Sequence, residues 1–306
     1  MKWPGRVTIT EVGPRDGLQM ERQVVPLDTK EAWIRRLMDA AVDVIQVGSF
    51  VHPEKVPQMA DTDALFRRLT AGKRSPAVLS GLVLNEKGVE RGLACGVELF
   101  CLGASASETH SRRNAGMGTE EATRRIIGAA GQAVAAGKRA QLSVQSAFGC
   151  GYEGPVPEER VLAMVRRYLD AGFRTISLAD TAGHAYPAQV ERMFGAVLGL
   201  APDVECTCHF HDTYGLGMAN IFAARRAGVT TFETSFAGLG GCPFTRVAAG
   251  NVATEDVVHA LHREGCRLDV DLEGLIALAR DVATFFGRPL PGRVHQAGPI
   301  PVAAPV

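Results

Sequence analysis

No stretch of about 18 uninterrupted apolar residues occurs in the sequence, which excludes a membrane-spanning helix. The first residues, MKWPGRVTITEV, lack the apolar core of a secretion signal, so we expect neither a signal nor a transit peptide. An excess of one charge sign is also absent, because 33 Lys and Arg balance 33 Asp and Glu. This balance disfavours a polyanion-binding surface, and we expect neither a nucleic-acid nor a membrane partner.

Cysteines are few and irregularly placed. The seven in the chain form no CxxC pair. Cys206 and Cys208 lie two residues apart in an apparent strand, where the geometry does not allow them to bridge each other. We therefore expect a reduced, cytoplasmic protein.

The 306 residues contain ample material for a packed core. Hydrophobic residues make up 46% and charged residues 22%, which excludes a disordered chain. At about 100–200 residues per domain, this length allows one large domain or two modest ones.

Short apolar, β-branched runs recur along the chain, and helical patterns lie between them. This alternation is typical of a parallel sheet with crossover helices. Eight such runs predict an α/β fold in which the strands close into a (β/α)8 TIM barrel rather than an open sheet. The runs are Val7–Val12, Val44–Phe50, Val78–Leu84, Val97–Gly103, Gln141–Phe148, Thr175–Asp180, Val204–His211 and Thr230–Phe236.

Predicted helices between these strands include Asp28–Ala41, Glu120–Ala136, Glu158–Ala171 and Pro187–Leu200, and several helical segments end at a glycine, as in ACG and RAGV. A C-terminal helical extension is predicted from about Asp271, over Leu272–Phe286. The proline-rich tail that begins at Arg288 is expected to be extended or disordered. No low-complexity linker divides the chain, so residues 1–306 are interpreted as one domain.

Chemically capable side chains cluster where predicted strands end, which is where such barrels place their reaction centre. His209 and His211 are two residues apart on a strand and point to the same face. Together with Asp16 and Asn251 they offer two imidazoles, a carboxylate and an amide oxygen. This set suits Mg²⁺ or Mn²⁺, and Zn²⁺ less specifically. The alternative is a pair of buried, hydrogen-bonded histidines.

Two further side chains are candidates for catalysis. Arg15, beside Asp16, is either a local ion-pair partner or a guanidinium that stabilises an oxyanion. Cys242, in the loop sequence GLGGCP, is either a small buried apolar residue or a thiol that transfers a proton. The glycine run lacks the Lys-Ser/Thr ending of a phosphate loop, so we expect no nucleotide site.

Five motifs in order resemble the 3-hydroxy-3-methylglutaryl-CoA lyase family of metal-dependent retro-aldol/Claisen TIM-barrel lyases. This resemblance covers residues from about 7 to 295. It implies cleavage of a 3-hydroxy-3-methyl dicarboxylic acyl-CoA to acetyl-CoA and acetoacetate, a divalent metal cofactor (Mg²⁺ or Mn²⁺) and a homodimer. The motifs are EVGPRDGLQ (11–19), SFVHPEKVPQMAD (49–61), ISLADT (176–181), CHFHDTYGLGMAN (208–220) and AGLGGCPF…AAGNVATED (237–256).

The resemblance also implies roles for individual residues. Its metal ligands match Asp16, His209, His211 and Asn251. Catalytic roles fall on His209, on Arg15 at the developing enolate oxygen, on Asp180 near the substrate hydroxyl, and on Cys242 in proton transfer. Substrate contacts match Gln19, Arg22, Gln46, Ser49, His110, Ser177 and Thr181, with Arg22 keeping a positive charge near the CoA phosphates.

The chain departs from the family pattern at three places. Gln46 stands where the family has Glu, which replaces an ionised acceptor by a neutral amide. His110, in SASETH, is either a substrate or proton contact or a solvent-exposed loop histidine. Phe286-Gly287-Arg288 lacks an amide that the family offers to CoA.

Two functional alternatives stay open. Because of Gln46, one is a lyase for a related acid such as citramalyl-CoA, which would give pyruvate and acetyl-CoA. The other is a barrel that binds metal and CoA without turnover.

Overall fold

In a computed structural model that describes residues 6–241 and 250–300, eight parallel strands close into a barrel in which β1 pairs with both β2 and β8. This confirms the predicted (β/α)8 fold. The strands are β1 Thr8–Glu11, β2 Val44–Ser49, β3 Val78–Leu82, β4 Leu99–Ser105, β5 Arg139–Gln145, β6 Thr175–Asp180, β7 Glu205–Phe210 and β8 Thr231–Thr234.

Helices surround the barrel and bury their apolar faces against it. The helix predicted after Asp271 is present with the expected bounds and forms the C-terminal extension. The helices are α1 Leu27–Asp39, α2 Thr62–Thr70, α3 Glu86–Cys95, α4 Glu108–Ala115, α5 Thr119–Ala135, α6 Glu158–Asp170, α7 Pro187–Leu198, α8 Gly217–Ala227, α9 Thr254–Arg263, α10 Leu272–Phe286 and α11 Val294–Ala297.

Two strands lie about two residues away from their predicted positions. β4 begins at Leu99 rather than at Val97, and β5 begins at Arg139, where the side chain is exposed. Arg139 still pairs in register with Leu99. Pairing uses the backbone alone, so a polar side chain at the strand start does not prevent it, and an apolar pattern misses it.

Helix ends follow the glycine pattern in the sequence. Gly96 and Gly228 end α3 and α8 with φ angles of 85° and 110°. A side chain at either position would be strained, which explains why glycine marks these ends. Within the described part of the chain, no helix is both long and apolar enough to cross a lipid bilayer.

The expectation for the C-terminal tail was wrong over part of its length. Within it, Val294–Ala297 forms a short helix, and Asp256 accepts hydrogen bonds from the backbone N–H groups of Arg293 and Val294 at its start. His295 is buried, with Nδ1 2.8 Å from Oε1 of Glu255. These contacts come from α9, distant in sequence, so the local proline pattern does not reveal them.

Candidate active site

Arg15 and Asp16 lie on a tight turn, Gly13–Gly17, that follows β1 directly. The backbone N–H of Asp16 donates to the carbonyl of Val12 at 2.7 Å, and the N–H of Gly13 donates to Oε1 of Glu11 at 2.6 Å. A Cβ at Gly13 would lie only 2.5 Å from that carboxylate oxygen. The strand end therefore fixes the turn that carries Arg15 and Asp16.

The predicted metal-site residues lie together at the carboxyl ends of β1 and β7. One ligand atom each from Asp16, His209 and His211 lies within 4.8 Å of the others, and all three residues are buried. Nε2 of His211 is 3.0 Å from Nε2 of His209 and 3.7 Å from Oδ2 of Asp16. Asn251 pairs with His211 through the backbone, and its side-chain nitrogen donates to Oδ2 of Asp16 at 2.8 Å.

This set of donor atoms fits a divalent cation. Within the described ranges, Oδ1 of Asn251 is buried without a hydrogen-bond partner, and a buried carbonyl oxygen ordinarily has one. Neighbouring ligand atoms on an octahedral ion, each about 2.1 Å from the metal, are about 3.0 Å apart. The two Nε2 atoms lie at this separation. Both histidines are also buried and within hydrogen-bonding distance of a partner. The alternative of a buried, hydrogen-bonded histidine pair therefore describes the same side chains.

Arg15 contacts both a predicted metal ligand, Asp16, and a predicted substrate contact, Gln46. Its Nη1 donates to Oδ1 of Asp16, and its Nε donates to Oε1 of Gln46. Burial opposes ionisation of Asp16, but the Arg15 charge and a hydrogen bond with His211 outweigh it. Together they hold the pKa of Asp16 well below its ordinary value. Asp16 is therefore a carboxylate at neutral pH, as a metal ligand requires.

Asp180 ends β6 as a buried carboxyl group. Burial raises its pKa to about 7, although the backbone N–H groups of Ala185 and His184 donate to its two oxygens at 3.1 and 2.8 Å. A carboxyl group with this pKa can accept or release a proton near neutrality.

The predicted substrate contacts occupy different surroundings. Gln19 donates to Oδ1 of Asp16 at 3.1 Å, so it holds the carboxylate. Ser49 and Ser177 are buried, and within residues 6–241 and 250–300 their hydroxyl groups have no hydrogen-bond partner. The hydroxyl oxygen of Thr181 accepts from the backbone N–H of Ser146 at 2.9 Å.

His110 and Arg22 lie at opposite extremes of exposure. His110 is buried in the first turn of α4, so the solvent-exposed alternative was wrong. Burial lowers its pKa to about 4, which favours the neutral imidazole. Arg22 is exposed beyond the turn Leu18–Met20. Cys242 lies outside the described residues, and its role stays a prediction.

Sequence reasoning assigned no role to three neighbours of the functional site. Glu233 on β8 lies with Oε2 2.9 Å from Nδ1 of His209, and Gln141 on β5 donates to its other oxygen at 2.7 Å. Glu11 is fully buried and binds the turn that carries Arg15. The available signal was a carboxylate or amide inside an otherwise apolar strand, because such a side chain needs a buried partner.

The sequence of this chain matches one protein family and is similar to known lyases. Residues 6–282 match the HMGL-like family. A hydroxymethylglutaryl-CoA lyase of Bacillus subtilis is 37% identical over 97% of this chain and 98% of its own length. The (R)-citramalyl-CoA lyase of Chloroflexus aurantiacus is 38% identical over 96% and 95%, respectively.

A solved lyase structure is similar over nearly its whole length. The hydroxymethylglutaryl-CoA lyase of Acinetobacter baumannii, in complex with coenzyme A and 3-methylmalate, aligns with a TM-score of 0.92 and 35% identity, covering 98% of each chain. Together with the Asp16–His209–His211 cluster, these matches show that the chain belongs to the HMGL-like family of carbon–carbon lyases.

Proposed function

We propose that this protein cleaves the C2–C3 bond of a 3-hydroxy-3-methyl dicarboxylic acyl-CoA of the hydroxymethylglutaryl type, giving acetyl-CoA and acetoacetate. The observation that carries the proposal is the direct contact of Arg15 with Asp16 of the buried Asp16–His209–His211 cluster at the barrel mouth. A related lyase that was solved with coenzyme A supports an acyl-CoA substrate.

A Mg²⁺ or Mn²⁺ ion held by Asp16, His209, His211 and Asn251 would supply Lewis acidity that makes the substrate hydroxyl more acidic. Asp180 accepts the hydroxyl proton, because its pKa of about 7 suits a base near neutrality. The O–H electron pair forms the ketone carbonyl, and the C2–C3 pair passes to the acetyl-CoA enolate.

Arg15 stabilises the enolate oxygen, where charge appears only as the bond breaks. Cys242 then donates its thiol proton to C2, which completes acetyl-CoA. In this scheme Ser49 and Ser177 supply hydroxyl groups that hydrogen-bond to the bound substrate, and Arg22 contacts the CoA phosphates.

A second candidate substrate is citramalyl-CoA, which would give pyruvate and acetyl-CoA. Gln46 favours it, because the amide that contacts Arg15 carries no charge. A Glu there would repel a carboxylate attached to the hydroxyl-bearing carbon, as in citramalyl-CoA, whereas the guanidinium beside Gln46 attracts one. A citramalyl-CoA lyase is among the relatives at 38% identity.

The test is a substrate panel with purified protein. Hydroxymethylglutaryl-CoA and citramalyl-CoA are incubated with Mg²⁺, with Mn²⁺ or with a chelator, and acetyl-CoA is followed by mass spectrometry. We expect release of acetyl-CoA with metal and its loss with chelator. Binding of both thioesters without any acetyl-CoA release would support the non-catalytic alternative.

The remaining expectations are proposed on the resemblance and the sequence. We propose a single-domain homodimer that works in the cytoplasm. Light scattering coupled to size-exclusion chromatography tests the dimer, and limited proteolysis tests the single domain.

A further inference from the structure

The barrel interior beside the Asp16–His209–His211 cluster is polar. Gln141, Thr207 and Glu233 are all buried there, at 6%, 1% and 5% exposure. Branched apolar side chains ordinarily fill the inside of such a barrel. Burying a carboxylate costs free energy unless its hydrogen-bond partners are well placed. The buried carboxylate of Glu233 therefore indicates a specific role.

These side chains form one chain of hydrogen bonds that ends at a metal-site histidine. The hydroxyl of Thr207 donates to Oε1 of Gln141 at 3.2 Å, and Nε2 of Gln141 donates to Oε1 of Glu233 at 2.7 Å. Since Thr207 uses the amide oxygen, the amide nitrogen is directed at Glu233. The second oxygen of Glu233 is left for Nδ1 of His209, at 2.9 Å.

Strand register brings Glu233 to this position. Glu233 on β8 is the register partner of His209 on β7 and of Thr10 on β1. Gln141 reaches the same carboxylate from β5, so the contacts bridge the barrel interior. The carboxylate is thus held from two sides before any ligand binds.

We propose that Glu233 is a positioning residue that fixes the ring and the tautomer of His209 for a divalent cation; the inference rests on the metal site of the proposed function. A carboxylate oxygen only accepts hydrogen bonds, so in the neutral imidazole the proton of His209 resides on Nδ1. Nε2 then keeps its lone pair, and it is this atom that faces Nε2 of His211 at 3.0 Å. Carboxylates of this kind strengthen metal binding by orienting the ligand ring.

Metal affinity provides the first test. Mn²⁺ is titrated calorimetrically into metal-free wild type, Glu233→Ala and Glu233→Gln. We expect binding to Glu233→Ala to weaken by about 10–100-fold, with Glu233→Gln in between because its amide keeps one acceptor oxygen. Glu255→Gln is the matched control, since Glu255 is also buried and contacts another histidine, His295, at 2.8 Å.

The tautomer provides a second readout that needs no metal. Nitrogen-15 NMR of histidine-labelled, metal-free wild type, recorded at a pH where the His209 ring is neutral, should show its proton on Nδ1, and Glu233→Gln should raise the fraction on Nε2. A wild-type proton on Nε2, or equal Mn²⁺ affinity in wild type and a folded Glu233 variant, would overturn the inference. If wild type itself binds no divalent ion, the proposed metal site is wrong, and the NMR result alone decides the role of Glu233.

Discussion

Gln46 is only 1% exposed, and its side-chain oxygen accepts a hydrogen bond from Nε of Arg15. On its other side the same guanidinium contacts the carboxylate of Asp16. Arg15 therefore lies between one neutral and one anionic acceptor. With Glu at position 46 it would lie between two anions, so residue 46 sets the net charge around the Arg15 guanidinium.

Gln46→Glu should shift substrate preference toward hydroxymethylglutaryl-CoA and away from citramalyl-CoA. The added carboxylate repels an acid group near the hydroxyl-bearing carbon, and a tenfold shift needs only about 1.4 kcal/mol, within reach of one hydrogen bond to a charged group. The measurement is the ratio of kcat/KM for the two thioesters. Gln132→Glu, an exposed change of the same kind on α5, is the control. An unchanged ratio would show that Gln46 does not select the substrate.

Arg15→Gln should lower kcat by about 10²–10³-fold with a smaller change in KM, because the lost contact stabilises charge that develops in the transition state. Arg68→Gln, at an exposed ion pair on α2, is the control and should retain kcat. Calorimetric titration of Mn²⁺ checks that the metal site of Arg15→Gln survives. A change in KM alone would make Arg15 a binding residue.

Alkylation of Cys242 should inactivate the protein, and acyl-CoA should protect it. The other cysteines give a clean background, because five of them are buried and only Cys266 is partly exposed. The experiment therefore uses Cys266→Ser as the parent protein and maps labelled peptides by mass spectrometry. Cys242→Ser in that parent should bind Mn²⁺ normally and lose most turnover. Equal labelling with and without acyl-CoA would argue for a structural thiol.

Glu11→Gln should flatten the dependence of stability on pH. Burial raises the pKa of Glu11 to about 8, against hydrogen bonds from Thr254, Gly13 and Phe236 that lower it. The folded protein thus holds the proton more tightly than the unfolded chain. The stability that Glu11 contributes is full below about pH 4.5 and is lost as pH rises to about 8.

Urea unfolding of both proteins between about pH 5 and 8 measures this effect. The free energy of unfolding of wild type should fall more steeply than that of Glu11→Gln, whose amide resembles the protonated acid. Glu121→Gln, on the exposed face of α5, controls for removal of one carboxylate. Parallel curves for wild type and Glu11→Gln would contradict the prediction.

The sequence alone determined the barrel and much of the candidate site. Apolar runs that alternate with helical patterns specified the strands, and glycines such as Gly96 marked helix ends, because both depend on local backbone geometry. The period of two along a strand placed His209 and His211 on one face. The family motifs supplied Asp16 and Asn251, which the structure places in contact although they are 235 residues apart.

Only the tertiary structure decided which side chains support that site. Glu233 reaches His209 because β8 closes against β7 in one register, and Gln141 reaches Glu233 from β5. His110 is buried by the packing of α4, and His295 is held by Glu255 from α9. These hydrogen bonds join residues distant in sequence, so no periodic pattern along the chain predicts them. Local pattern reveals what a backbone segment prefers, whereas closure of the barrel decides which buried polar groups become partners.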